Sequence, residues 1–190
     1  MKLFDRLALV CTLLITLNGC GIIFGTSQKV DNKSNDYTAY RFEREGKSDW
    51  KKIDTGVKPS SSTEGSSVSE QEPEQADLAY ENASNGGIIS LNSICHPQRS
   101  ATLEQLTNNL LMGLPELTKI SSEKTTLDGS EALRTVVESK GKEDKPDIRI
   151  TTLVTRKEGC TYDFMFIIKT SAYGNSIADF EKFIKGFHAK

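Results

Sequence analysis

Apolar and polar residues alternate along several stretches of the chain, and this alternation predicts a domain rich in β-structure. The clearest stretch is 160–170, where apolar residues occupy every second position: Tyr162, Phe164, Phe166 and Ile168. Period-two alternation is typical of a strand with one buried face. The mixed residues between them indicate that the opposite face is partly covered, so the stretch is predicted to be a central strand.

Turn dipeptides divide the other apolar runs into strands. Asn85-Gly86-Gly87 and Asp128-Gly129 are predicted to be hairpin turns, which join neighbouring antiparallel strands. The remaining predicted strands are 37–43, 50–53, 77–82, 88–95, 118–127, 131–139 and 148–154. The last four strands of the chain, ending with 160–170, are predicted to form a meander. Trp50 follows a turn and is predicted to be a core residue.

Two stretches carry apolar residues at helical spacing instead. In the first, Thr102 and Gln105 fit a capping box, and Gly113 and Pro115 mark the end. Its apolar face consists of Leu103, Leu106, Leu110, Leu111 and Leu114. The second has Asn175 or Ser176 as its cap, and its apolar face consists of Ile177, Phe180, Ile184 and Phe187. We expect both faces to pack on the protein's own sheet, the alternative for the leucine face being a partner.

Two segments are too polar to build a core. Residues 20–36 are predicted to be a flexible tether, and the Ser-rich stretch at about 58–75 is predicted to be a disordered loop. The strands before and after this loop are expected to share one sheet. Residues 37–190 are therefore predicted to form a single domain that contains the loop.

The first twenty residues resemble the signal sequence of bacterial lipoproteins. Residues 7–17 are apolar except for two threonines, which is the length of a signal-peptide core and too short to span a bilayer. Leu17-Asn18-Gly19-Cys20 follows and resembles a lipobox. The resemblance implies that residues 1–19 are a signal peptide and that Cys20 carries a diacylglyceryl anchor. An ordinary secretory signal and an uncleaved anchor are the alternatives.

The same resemblance implies a location in the bacterial cell envelope. In enteric bacteria, an Asp after the lipidated Cys retains a lipoprotein in the inner membrane, whereas this chain has Gly21. The outer membrane, facing the periplasm, is therefore favoured over the inner membrane. Disulfides persist in such compartments, so Cys95 and Cys160 are predicted to form one. The alternative is two separate buried thiols.

Charge and motif content point away from nucleic-acid binding and catalysis. The 190 residues have a formal net charge of −2 and contain no basic stripe. Cys95 and His96 are adjacent, which in an extended chain directs a nucleophile and its base to different sides. No Cys-x-x-Cys pair and no pair of His residues on one helix face is present for a metal. We therefore predict a non-enzyme without a metal or cofactor.

The order of the predicted elements resembles that of the PsbP and Mog proteins. The segments that carry the resemblance are Tyr40-Arg41-Phe42, Trp50, Ala76 to Tyr80, Gly87 to Leu91 and Phe180 to Phe187. It implies an α+β fold in which helices cover an antiparallel sheet, as an α/β/α sandwich. It also implies that the domain binds other proteins or stabilises assemblies.

Two functions are consistent with this organisation. The first is a membrane-anchored accessory module that binds an envelope protein complex. The second is a carrier of a small molecule or lipid in a pocket between sheet and helix. A carrier requires a cavity that is not filled by the large apolar side chains of Trp50, Leu106, Leu110 and Phe180.

Overall fold

The computed structural model describes most of the chain after residue 32. The described residues are 33–34, 36–46, 48–55, 76–95, 101–114, 116–141 and 145–190. The predicted signal peptide, Cys20, most of the predicted tether, the Ser-rich loop and His96 lie outside them.

One antiparallel sheet dominates the described residues. The strands are β1 (Tyr37–Thr38), β2 (Trp50–Lys52), β3 (Leu78–Asn82), β4 (Ile88–Cys95), β5 (Leu117–Leu127), β6 (Ser130–Ser139), β7 (Ile148–Lys157), β8 (Cys160–Lys169) and β9 (His188–Ala189). Within this part of the chain, seven of them form a sheet in the order β2-β3-β4-β8-β7-β6-β5. The predicted meander is the half from β8 to β5, and β1 pairs separately with β9.

Two α-helices accompany the sheet in the described chain, α1 (Leu103–Leu110) and α2 (Tyr173–Lys185). The predicted capping box is present in α1, because Thr102 accepts from the backbone N–H of Gln105 and the Gln105 side chain accepts from that of Thr102. The prediction of an α+β fold with an antiparallel sheet is confirmed.

An aromatic core lies between α2 and one face of the sheet. The alternating residues of β8 are buried as predicted, with Tyr162, Phe164 and Phe166 at most 1% exposed. The ring of Phe166 stacks on Phe180 of α2 at 5.6 Å between centroids. Trp50 is a core residue, as predicted.

A second apolar layer lies on the opposite face of the sheet. Leu133 and Val137 of β6 and Ile150 and Val154 of β7 are buried there. The helix α1 packs against these two strands, as expected for its leucine face. Because α1 ends at Leu110, the prediction that Leu114 belongs to the packed face is wrong, and Leu114 is 39% exposed.

The prediction of a strand over 37–43 is wrong beyond Thr38. A 3₁₀ helix occupies Phe42–Glu45 and ends at Gly46, whose φ of 71° suits glycine. Phe42 inserts its ring into the aromatic core, 5.2 Å from Trp50 between centroids. Phe42 is therefore buried in the core, as an alternating strand predicts, although its backbone is not extended.

The start of α2 also differs from the prediction. A 3₁₀ turn at Thr170–Ala172 leads directly into the helix, and Ala172 occupies the capping position. Ser176 is buried instead, and its Oγ accepts a hydrogen bond from Asn85 Nδ2 at 3.0 Å. The polar residues expected to cap the helix thus lie within its first turn.

Ordered contacts begin before the domain boundary predicted at residue 37. Ser34 is buried, its Oγ lies 2.9 Å from the Tyr162 hydroxyl, and its backbone N–H donates to Ser93 Oγ. Lys33 forms an ion pair with Asp77 at 3.1 Å.

Candidate functional site

The cysteines predicted to pair lie directly opposite each other at the end of two neighbouring strands. Cys95 of β4 faces Cys160 of β8 in the sheet register, and a disulfide joins them. This sulfur pair therefore serves as a structural link rather than as a nucleophile. Within the described ranges, no three His, Cys, Asp or Glu side chains come together in a way that holds a metal ion.

The open edge of the sheet is the most exposed regular element of the described chain. The strand β5 has eleven residues, and all those between its first and last residues are exposed. Among the described residues only β6 pairs with it, so the backbone groups on its other side have no strand partner within this part of the chain. Long open edges of this kind are templates for pairing with another strand.

Exposed apolar side chains collect at one end of this edge. The large apolar residues that are exposed in the described chain are Met112, Leu114, Ile120 and Ile148. Met112 and Leu114 lie in the connection from α1 to β5, and Ile120 lies three residues inside β5. Ile148 starts β7 opposite Ser139, which is also opposite Leu117 at the start of β5. We call these four residues the apolar corner.

Three lysines lie close to residues of the apolar corner in sequence or in strand register. Lys119 lies next to Ile120, Lys169 lies opposite Ile148, and Lys145 precedes β7 by three residues. All three are exposed, and no ion pair joins them to another described residue. The corner therefore combines apolar surface with positive charge in a chain whose net charge is −2.

The bulge in β5 exposes Ile120. The register with β6 passes from Lys119 opposite Val137 to Ser121 opposite Val136, so Ile120 is the extra residue of a β-bulge. It is 53% exposed. The sequence placed Ile120 inside a regular strand, and a single apolar residue in a polar strand gives no signal of a bulge.

A network of charged side chains lies near the corner. Glu138 of β6 accepts from Lys140 at 2.9 Å and from Arg149 at 2.7 Å, which lowers the pKa of its carboxyl. The Arg149 guanidinium also lies 5.0 Å from the centre of the Tyr173 ring. These contacts join the start of β7 to the start of α2, and they provide a scaffold rather than a reactive group.

The opposite end of the sheet is closed by a cluster around Asp128. Its carboxylate accepts from Lys157 Nζ at 2.5 Å, lies 3.0 Å from His188 Nδ1, and accepts from the Ala189 backbone N–H. The hydrogen bonds from Lys157 and His188 lower the pKa of the Asp128 carboxyl to about 2. We call this end, marked by Asp128, Lys157 and His188, the latch end.

The apolar corner and the latch end are separated by the length of a strand. Ile148 starts β7 at the corner and Lys157 finishes it at the latch end. At roughly 3.3 Å per residue, the two ends are about 30 Å apart. Ser34 contacts Tyr162, two residues from Cys160, so the described chain joins the domain near the latch end.

Comparison with known proteins supports no identification beyond the fold. No protein-family model and no curated protein matches the chain. Among solved structures, the cyanobacterial PsbP protein CyanoP from Synechocystis covers 92% of this chain and 99% of its own, at 15% identity and a TM-score of 0.45. The Ran-binding protein Mog1p from Saccharomyces cerevisiae covers 63% of this chain and 82% of its own, at 10% identity and a TM-score of 0.44.

These are the two kinds of protein that the sequence resemblance named, and the likeness concerns the fold alone. Protein PA94 from Pseudomonas aeruginosa is a third, at 12% identity and a TM-score of 0.39, covering 77% of this chain and 92% of its own. Separately, no helix of the described chain has the length and apolar character that crossing a bilayer requires.

Proposed function

We propose that this protein is an envelope lipoprotein whose folded domain is a non-catalytic binding module, and that it docks a protein partner through the open β5 edge and the apolar corner. The observation that carries the proposal is the coincidence of two features at one place. The exposed large apolar residues of the described chain gather where the longest unpaired strand edge begins. Exposed apolar surface of this kind marks interaction sites.

The membrane anchor is a separate part of the proposal. Leu17-Asn18-Gly19-Cys20 supports cleavage before Cys20 and lipidation of its thiol, with the outer membrane facing the periplasm as the location. The Cys95–Cys160 disulfide supports an oxidising compartment. The first described residues, Lys33 and Ser34, contact the domain near the latch end, at the far end of the sheet from the apolar corner.

The carrier alternative has less support. The space between the sheet and α2 is occupied by packed aromatic rings, with Trp50 5% exposed and Phe180 fully buried. The ring centroids of Trp50 and Phe166 are 6.4 Å apart, and Phe166 in turn stacks on Phe180. A ligand at this interface has to displace these rings, whereas a docked protein uses surface that is already exposed.

Co-purification of the full lipidated protein from its native membranes tests the proposal. We expect a stoichiometric protein partner after mild detergent extraction and crosslinking. The double variant Met112→Ser with Ile120→Ser should lose that partner, because it removes the two most exposed apolar side chains of the corner. The control is Lys51→Ser, an exposed position on the opposite edge strand β2. Equal recovery of the partner with both variants contradicts the proposed docking surface.

A fractionation experiment tests the anchor independently. We expect Cys20→Ala to move the protein from the membrane fraction to the soluble fraction, because stable anchoring depends on the acyl chains. Retention of this variant in the membrane fraction contradicts lipidation at Cys20 without affecting the argument about β5.

A further inference from the structure

We propose that β5 binds an extended segment of its protein partner as an additional strand, and that this segment carries acidic side chains on one of its faces. The inference rests on the proposed function and specifies how the edge recognises its partner. Three features of β5 carry it: the direction of its backbone groups, the placement of its lysines, and the bulge that interrupts its register with β6.

The hairpin turn determines which backbone groups of β5 point outward. Asp128 and Gly129 form a two-residue turn, both with positive φ, between the paired residues Leu127 and Ser130. In such a hairpin the closing pair exchanges backbone hydrogen bonds, and the pairs alternate from there. Counting back from Leu127, the residues whose N–H and C=O groups point away from β6 are Thr126, Lys124 and Ser122.

An outward row of alternating donors and acceptors selects an extended backbone. From Ser121 to Thr126 the register with β6 is regular and the residues are exposed, so a strand of about six residues, roughly 20 Å long, fits there. Main-chain hydrogen bonds provide affinity in this binding mode, and the side chains of alternate residues provide selectivity.

The lysines of β5 share one face. Lys119 is opposite Val137 and Lys124 is opposite Leu133, and these two partners are both buried beneath α1. Lys124 bonds Glu131 at 2.8 Å on the exposed surface, and Lys119 has no ion pair within the described chain. An incoming strand paired with Ser121–Thr126 places one of its alternate side chains beside Lys124 and ends close to Lys119, so carboxylates at those positions are favoured and lysines are disfavoured.

The same charges disfavour two of the central registers in which a second copy of this chain could pair with β5. Two β5 strands paired antiparallel about Glu123 bring this residue opposite itself, and pairing about Lys124 does the same for the lysine. Like charges directly opposite each other destabilise a strand pair. A partner with a different sequence, bearing acidic residues, avoids this repulsion.

The bulge sets where the added strand ends. At Ile120 the bulge interrupts the register of β5 with β6, which resumes at Lys119, and the Ile120 side chain is left 53% exposed. A segment paired with Ser121–Thr126 therefore reaches the apolar corner at one end. We expect it to place an apolar residue there, against Ile120 and Met112.

A synthetic peptide provides the probe. We would titrate a peptide of about ten residues, in which valine alternates with glutamate, into the isotopically labelled mature protein, and follow backbone amides by NMR. The expected result is a shift of the Ser122, Lys124 and Thr126 amides with protection from hydrogen exchange. The same peptide with lysine in place of glutamate should bind at least about threefold more weakly.

A matched pair of variants at one position isolates the backbone contribution. Ser122→Pro removes an outward N–H, whereas Ser122→Ala removes only the hydroxyl, which contacts Thr135 at 3.1 Å. We expect Ser122→Pro to weaken the acidic peptide roughly tenfold and Ser122→Ala to change it less than about twofold. Lys119→Glu leaves every backbone group in place, and it should reverse the preference between the two peptides.

Several results overturn this mode of binding. No titration by the acidic peptide, shifts confined to residues away from β5, or equal binding by Ser122→Pro and Ser122→Ala would each do so. If the native partner still co-purifies with Ser122→Pro but is lost with the corner variant, the proposed function stands and strand addition does not. Binding to phosphatidylglycerol vesicles that requires the corner but not the Ser122 amide would assign the corner to a lipid surface instead.

Discussion

At one edge of the sheet, β2 contributes three residues and buries Trp50, while at the other edge β5 contributes eleven and exposes most of them. Trp50 Nε1 donates to Asp179 of α2 at 2.9 Å, which fastens the short edge to the helix. Beyond the strand, the Ile53 N–H donates to the Ala79 carbonyl, so the pairing with β3 continues. The short edge therefore belongs to the core.

The long edge has no comparable support from the helix that covers the core. Its exposed side chains contact the neighbouring strand, as Lys124 does with Glu131 and Ser122 with Thr135, and only its last residue, Leu127, is buried in the core. Within the described residues, one edge of the sheet is closed by an aromatic anchor and the other is left without a strand partner.

The largest effect on stability should come from truncating an aromatic ring of the core, to which the short edge belongs. Phe183 is fully buried and contacts the rings of Phe42, Tyr80 and Phe164. We expect Phe183→Ala to lower the free energy of unfolding by about 3–5 kcal/mol, because the lost transfer energy is accompanied by a cavity. Urea unfolding followed by Trp50 fluorescence measures this change.

The matched substitution on the open edge is Thr125→Ala, which removes an exposed side chain from β5. It should change the free energy of unfolding by less than about 0.5 kcal/mol. Similar losses of unfolding free energy for Phe183→Ala and Thr125→Ala would mean that β5 is as strongly packed as the core. The contrast between the two edges of the sheet would then be wrong.

Removing the disulfide should produce the next largest effect. The double variant Cys95→Ala with Cys160→Ala opens a link between β4 and β8 that spans a sequence separation of 65 residues. We expect a loss of about 2–4 kcal/mol, chiefly because the unfolded chain regains conformational freedom. Urea midpoints with and without reductant measure it: reductant should shift the native protein and leave the double variant unchanged. An unchanged midpoint in the native protein contradicts this role.

Local patterns predicted the elements that depend on neighbouring residues. Thr102 and Gln105 specify the start of α1, and Asp128-Gly129 specifies the hairpin, since each signal lies within four residues of its effect. The alternation in β8 likewise predicted which face is buried. The odd-numbered residues of β8, from Thr161 to Ile167, are partly buried on the opposite face, as expected of a central strand.

Features that depend on distant residues were not predictable in this way. β9 forms only because Tyr37 and Thr38 are brought alongside it, and Phe42 leaves the extended conformation because the core offers a place for its ring. The apolar corner forms because Ile148 and Leu117 both pair with Ser139, so that β5 and β7 begin at the same level of the sheet. The register between these strands cannot be read from the local sequence pattern.

The latch end provides a smaller and pH-dependent test, because it ties the turn of the open edge to the C-terminal strand. The Asp128 pKa of about 2 lies below the ordinary aspartate value of about 3.9, so the ionised form stabilises the folded state. This contribution is fully present above about pH 5 and is lost as the pH falls toward 2. We expect Asp128→Asn to lower stability by about 1 kcal/mol at pH 7.

Urea unfolding at several pH values checks the sign. The gap between the native protein and Asp128→Asn should narrow steadily as the pH falls from about 5 to 2, because protonation removes the charge that the substitution lacks. The control is Glu81→Gln, which changes an exposed acidic residue of β3 that lies outside the latch end. A gap that widens toward low pH contradicts the assigned direction of the pKa shift.

The smallest expected effect on stability concerns the apolar corner itself, and it sharpens the comparison most. Met112→Ser with Ile120→Ser replaces side chains that are 75% and 53% exposed, so the free energy of unfolding should change by less than about 0.5 kcal/mol. Partner recovery should nevertheless fall, since these side chains provide apolar contact area. A large loss of stability would show that the corner is held against the domain, and its exposed apolar residues would then serve folding rather than recognition.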